Sequence, residues 1–354
     1  MSGASRFAYP PTVANPSSIS QFSPSQARAP KGTAIGGQWI DTPGGMLRDL
    51  GGGKTGMLHP HLSPGDAAKI RAESPDVSSA HLDENGQWTP ERRMVHEQIV
   101  NQFLDGVEPA APGEAEVWFN GGGPGSGKGS FTSGAVDVGY PSTRSVDDAT
   151  GEMDFAGMPK PGAVLIDPDS VKMQLPEVKA MRKKQAAGGQ MANPQGPGGN
   201  WAGQSHEESS YVAKMIYAEA QRRNLPVVYD GTGTKIVDKA QQALGNGYKA
   251  AHANYMYAEP NLALQSAIVR AGRIGRNVPK DMQAQQYVDM PGAFGKTVGS
   301  GIFSTVGLYD RNGLAKGQPI PKIFEVLPSG ERKILDQAAY DKFLTSGTRL
   351  PDLT

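Results

Sequence analysis

Seven consecutive residues, Gly122-Gly123-Pro124-Gly125-Ser126-Gly127-Lys128, fit the spacing G-x-x-x-x-G-K. Glycines so placed let successive backbone N–H groups turn inward around a phosphate, and the closing lysine adds positive charge beside them. Context decides whether so short a pattern carries that chemistry. Here the apolar run Ala115–Phe119 leads in as a strand and a helix is expected to follow, the order a phosphate loop requires. The triplets at 53–55 and 295–297 are decoys, because Arg48 and Met290 stand where the first glycine belongs. In the usual pattern a hydroxyl follows the lysine and meets Mg²⁺; in this chain Gly129 intervenes and Ser130 comes one place later.

Phosphoryl transfer needs more than a loop: a base near the attacking hydroxyl, carboxylates near a metal, and cations for the developing charge. Asp167 and Asp169 follow the apolar run Ala163–Ile166, and Asp230 follows Pro226–Tyr229. Carboxylates at the C-terminal ends of sheet strands are where open α/β sheets place ligand-binding groups. In isolation, Asp-x-Asp serves as readily as a turn or helix N-cap, and Asp230 with Gly231 and Thr232 reads equally as an Asx-type turn. Arg270, Arg273 and Arg276 fall along one side of a helix, a pattern shared with an ordinary solvated basic face.

The elements that must position these groups alternate strand and helix. Beyond the three strands above, a further one passes through Asn254–Tyr257, and Ser205 with Glu208 has the spacing of a capping box opening a helix to about Arg223. Thr89 and Pro90 are a good N-cap and first helical residue for a stripe of Val95, Ile99 and Phe103. Strands alternating with helices indicate a mainly parallel, doubly wound α/β sheet. Residues 1–88, rich in Ser, Pro, Gly and Ala, are expected to form an extended arm with at most a short helix near Ser63–Ser74. Residues 89–320 then form the nucleotide-binding domain, and 321–354 a small extension of a hairpin and a short helix. The Gly- and Gln-rich stretch 185–203 reads as a surface loop.

Composition narrows the classes. Lys and Arg total 35 and Asp and Glu 35, so no global field gathers nucleic acid or an anionic membrane. There is no cysteine, which excludes disulfides and thiolate metal sites. No segment approaches the ~20 apolar residues of a membrane span, and a cytoplasmic location is the default.

Taken in order, Leu165-Ile-Asp-Pro-Asp-Ser170, Leu175-Pro-Glu177, the helix start His206–Ser210, Val227-Val-Tyr-Asp-Gly-Thr232, Arg270 with Arg276-Asn-Val-Pro-Lys280, and Leu308-Tyr-Asp-Arg-Asn-Gly313 resemble the zeta-toxin family of P-loop kinases. The resemblance covers roughly residues 90 to 325. It implies ATP and Mg²⁺ as cofactors, a sugar-nucleotide hydroxyl as acceptor, typically UDP-N-acetylglucosamine, toxicity, and an antitoxin partner. Residue by residue, it implies Lys128 on the phosphates, Asp169 as the base and Arg270 and Arg276 as the phosphate clamp. Asp230 stands where the family commonly has a glutamate. Asp167, Asp230 and Thr232 are then substrate-side residues, and Ser130 and Asp230 the metal-side ones, through water. Two positions depart from the family: an acidic residue expected in the helix after Ser209 aligns near Lys214, and Thr234, beside Lys235, replaces an arginine.

Other readings stay open at this level: a different small alcohol or a polynucleotide end as acceptor, or a phage virion or packaging protein that keeps the fold without turnover. The last draws on Arg28–Trp39, which resembles a Gly-Gly-Gln segment of phage-encoded proteins and on composition alone is a flexible linker.

Overall fold

The computed structural model describes residues 57, 59–129, 140–147, 150–153, 160–187, 201–274, 280–315 and 318–346. Ser130, Arg276, the Arg28–Trp39 segment and the rest of the arm before Met57 lie outside them. Seven strands form one sheet: β1 (Glu116–Gly121), β2 (Val164–Ile166), β3 (Val227–Asp230), β4 (Ala250–Tyr257), β5 (Thr305–Asp310), β6 (Lys322–Val326) and β7 (Arg332–Ile334). Their spatial order is β2-β3-β1-β4-β5-β6-β7. The first five run parallel, and β6 and β7 add an antiparallel edge. The C-terminal hairpin is therefore part of the main sheet. It is followed by a helix at Gln337–Ser346, which the sequence also indicates.

Register is what builds the site. Asn120 on β1 lies beside Asp230 on β3, and Ile166 on β2 lies beside Tyr229 on β3. Because the strands are parallel, the three chains leave the sheet at the same end. The phosphate loop, Asp167 and Asp230 thereby become neighbours although more than a hundred residues separate the first from the last.

The helices that cover the sheet include α1 (Pro64–Glu73), α2 (Pro90–Leu104), α3 (Pro168–Lys172), α4 (Pro176–Ala187), α5 (Trp201–Gln204), α6 (His206–Arg222), α7 (Ile236–Gly245), α8 (Pro260–Ile274) and α9 (Lys280–Ser300). Thr89 caps α2 as expected, its hydroxyl accepting from the Arg92 N–H at 3.3 Å. On the apolar side of α2, Ile99, Val100 and Leu104 are buried. Ser205 does not cap α6 with its side chain; its hydroxyl donates to the Trp201 carbonyl at 2.6 Å. Trp201, read as part of a surface loop, is fully buried.

From His59 onward the expected arm is in fact ordered and packed. Ser63 caps α1, and Leu62, Ala67, Ile70, Val77 and Trp88 join the core. Their spacing has no sustained period because the segment is a short helix and turns; the helix packs on α6. Removal of residues 1–85 should therefore destabilise the chain, since each fully buried side chain of this size is worth ~1.5–3 kcal/mol. The expected result is a markedly lower melting temperature or loss of soluble protein; an unchanged melting curve would show that the segment adds nothing to the fold.

Candidate active site

The loop between β1 and the residues that follow is built of conformations few side chains tolerate. Gly125 has φ +80° and Gly127 φ +96°, and a Cβ on Gly125 would overlap the Ala263 carbonyl of α8. A Cβ on Gly123 would run into the Tyr287 ring of α9. Tyr287 Oη and Gln283 Nε2 both donate to the Pro124 carbonyl, at 2.8 and 3.2 Å, so α9 holds the loop from outside. On the sheet side the Gly122 N–H donates to the Thr232 carbonyl at 3.2 Å, and Gly231 to Asn120 at 3.0 Å. These bonds tie the loop to the turn that follows β3. Lys128 lies back across it, Nζ donating to the Gly122 and Gly123 carbonyls at 2.6 and 3.2 Å. Ser126 Oγ is buried and makes no hydrogen bond among the described residues.

Asp230 is the group most affected by this setting. It sits below the loop with Oδ1 buried and without a partner among the described residues. Burial pushes its carboxyl up to about 7; Lys128 and Arg270 pull it down, and Asp167 pushes it further up. Four residues singled out from sequence, Lys128, Asp167, Asp230 and Arg270, thus share one electrostatic neighbourhood. Arg270, on α8, has its Nε buried without a partner among the described residues. Thr232 contributes its backbone to the loop, while its hydroxyl meets that of Thr234 at 3.1 Å.

The two carboxylates of Asp167-Pro168-Asp169 divide their work. Asp167 is the N-cap of α3, accepting from the N–H groups of Asp169 and Ser170 at 3.0 and 3.2 Å and from the Ser170 hydroxyl at 2.8 Å. Asp169, in the first turn, is partly exposed and accepts from Lys172 Nζ at 2.9 Å. Arg311 was not assigned a role from sequence, though it lies within the Leu308–Gly313 motif. Its side chain packs against Gly127, where a Cβ would displace it. Nothing in its local spacing marks it, because the contact is made only when β5 takes its place beside β4.

Among the described residues no three His, Asp or Glu side chains gather into a cluster able to hold a metal alone. An Mg²⁺ that keeps most of its shell as water and phosphate oxygen needs only one or two carboxylates. Asp230, with its orphaned buried oxygen, fits that requirement.

A strand, a glycine cradle closed by lysine and carboxylates at the adjoining strand ends together define a P-loop nucleotide-binding α/β protein. The sequence model of the family described as Zeta toxin matches residues 106–316, and the chain belongs to that family of kinases. No curated protein matches it. Among solved structures, the AvrRxo1-ORF1:AvrRxo1-ORF2 complex with sulphate ions is similar over 83% of this chain and 81% of that one, with TM-score 0.53 and 15% identity. The AvrRxo1-ORF1:-ORF2 structure with ATP is similar over 81% and 79%, with TM-score 0.52 and 15% identity. A structure of the PezAT chromosomal toxin-antitoxin system of Streptococcus pneumoniae covers 75% of this chain and 98% of its own, with TM-score 0.42 and 13% identity. At these identities the likeness concerns the fold. Among the described residues no helix is long and apolar enough to cross a membrane.

Proposed function

We propose that the chain transfers the γ-phosphoryl group of ATP to a hydroxyl of a sugar nucleotide, with UDP-N-acetylglucosamine the first acceptor to test. The observation that carries this reading is the gathering of Lys128, Asp167, Asp230 and Arg270 at the C-terminal strand ends, under a loop that only glycine can form. The ATP in the AvrRxo1-ORF1:-ORF2 structure supports the choice of nucleotide. The second protein in that complex supports a partner that restrains the activity, as an antitoxin would. Phage association through the arm is a separate matter on which the site has no bearing.

Mg-ATP supplies the transferable phosphoryl group and the metal charge that offsets its oxygens. The protein does the rest by position and electrostatics. The glycine N–H groups and Lys128 hold the phosphates. Arg270, joined by Arg276, neutralises charge as it spreads over the transferred group. Asp230, whose carboxyl burial pushes up to about 7, would hold the metal together with Ser130, and the metal would supply positive charge beside the phosphate oxygens. Asp169 takes the proton of the acceptor hydroxyl.

Incubation with Mg-ATP and a panel of sugar nucleotides, nucleosides and oligonucleotide ends, with products found by mass, tests the acceptor. A product 80 Da heavier only among nucleosides or oligonucleotides would reject the sugar nucleotide, that difference being about one HPO₃. For the base, Asp169→Asn keeps shape and hydrogen bonding while removing basicity. Its kcat should fall by ~10²–10⁴-fold with ATP affinity retained. A loss confined to ATP binding would move the base elsewhere.

A further inference from the structure

We propose that Lys172 is the positioning residue of Asp169, fixing the carboxylate in one ionised orientation from behind while it faces the acceptor. The inference rests on the reading of Asp169 as the base. Lys172 lies three positions after Asp169 on α3, so a single helical turn carries Nζ to Asp169 Oδ1 at 2.9 Å. The burial of the pair is asymmetric: the Lys172 side chain is 8% exposed and that of Asp169 25%. A lysine that served only to support a surface helix would keep its ammonium in water. This one has given up its hydration, a cost tolerated only where the charge is paired.

The surroundings leave Asp169 as its direct partner. Asp167, on the same helix, attracts Lys172 through space but commits its oxygens to the cap. From α6, packed on α3, Glu207 and His206 also face it. Glu207 is bonded to Lys69 of α1 at 2.6 Å, and burial keeps His206 biased towards its neutral form. In the transfer step the acceptor O–H proton passes to Asp169 and the acceptor oxygen bonds to the γ-phosphorus. The bond to the β,γ-bridging oxygen breaks, and ADP leaves with the electron pair. Lys172 keeps its proton throughout. Burial lowers Lys172 to about 8, so turnover should fall as pH rises through that value and the anchor loses its charge.

Lys172→Met, of similar length and apolar, tests this in the full chain, with Lys172→Gln as a second variant should the first fail to fold. Carboxyl ¹³C NMR of aspartate-labelled protein follows Asp169 without any acceptor, its signal assigned by loss in Asp169→Asn. Loss of an adjacent opposite charge should make Asp169 titrate about 1–3 pH units higher. With Mg-ATP and UDP-N-acetylglucosamine, ADP release should show kcat lower by roughly 10–10²-fold, ATP KM within about twofold, and no alkaline limb near pH 8. Combined with Asp169→Asn, the substitution should add no further loss, because Lys172 acts through that carboxylate. An unmoved Asp169 titration, or an undiminished effect of Lys172→Met in the Asp169→Asn background, overturns the inference alone. Wild-type turnover in Asp169→Asn itself overturns the base assignment and the inference with it.

Discussion

Lys128→Ala should abolish measurable phosphoryl transfer while leaving a folded protein. The lysine closes the glycine loop and its charge reaches Asp230 beneath, so it stands where nucleotide phosphates would lie. Loss of one preorganised donor at developing negative charge typically costs ~10²–10³-fold, and removal of a full positive charge should exceed that. Its contribution to the fold is small by comparison. The side chain is half-buried and donates to two carbonyls of its own loop. A net hydrogen bond is worth ~1 kcal/mol, so the melting temperature should move by only a few degrees. Wild-type ADP release from the variant would show that the loop does not hold the phosphates.

The largest expected effect on stability lies away from the site, at Glu208. This carboxylate is fully buried on α6 and accepts from Arg92 Nε at 2.5 Å, His96 Nε2 at 2.6 Å and Ser78 Oγ at 2.6 Å. Arg92 also reaches Glu177 of α4 with two bonds of 2.9 Å, and Glu177 accepts from His81 at 2.8 Å. One network thus fastens the N-terminal segment, α2, α4 and α6 together. Glu208→Ala leaves Arg92, 2% exposed, with Glu177 as its remaining carboxylate, and breaking a buried pair from one side costs ~3–5 kcal/mol. Calorimetry should show a melting temperature lower by roughly 10 °C. A shift of a degree or less would mean the network contributes no net stability.

The same network sets the acid limit of stability. Burial acts against the Glu208 charge, but bonds from His96 and Arg92 outweigh it and bring the carboxyl down to about 2. Burial holds His96 below its ordinary value, so it donates Nε2–H to Glu208 as a neutral ring. Both groups are depressed in the folded state, so their contributions are complete above the unfolded values and are lost as pH falls. The loss begins below about 6.5 for His96 and runs from about 4.5 towards 2 for Glu208. Glu208→Gln should flatten the melting temperature between pH 4.5 and 2 relative to wild type. An equally steep decline in the variant would place the acid-labile group elsewhere.

Much of the fold was legible along the chain because its signals are local. Apolar runs ending in Asp, a glycine loop closed by Lys128, and Thr89-Pro90 ahead of an apolar stripe each depend on a few adjacent residues whose backbone preferences suffice. Glu208 shows where that reasoning stops. Its spacing from Ser205 is that of a capping box, yet it turns inward, because α2 brings Arg92 and His96 to a side of α6 where an unpaired carboxylate would be untenable. Arg92 and His96, one turn apart on α2, supply those partners.

By itself, the sequence determined the phosphate loop, the strand-end position of Asp167, Asp169 and Asp230, and membership of a kinase family, since these follow from residue type and order. Only the tertiary structure decided the surroundings of each carboxylate. Parallel register set Asp230 beside Asn120 and under Lys128, where burial drives its carboxyl towards 7. The start of α3 spent Asp167 on a cap, and its last residue put a buried ammonium behind Asp169. The short helix near Ser63–Ser74 was legible, but the contact of Arg311 and the burial of residues 59–88 were not, because those contacts are made across the fold. The energy of a buried charge depends on which partners the fold brings within about 3 Å, and no spacing along the chain encodes that.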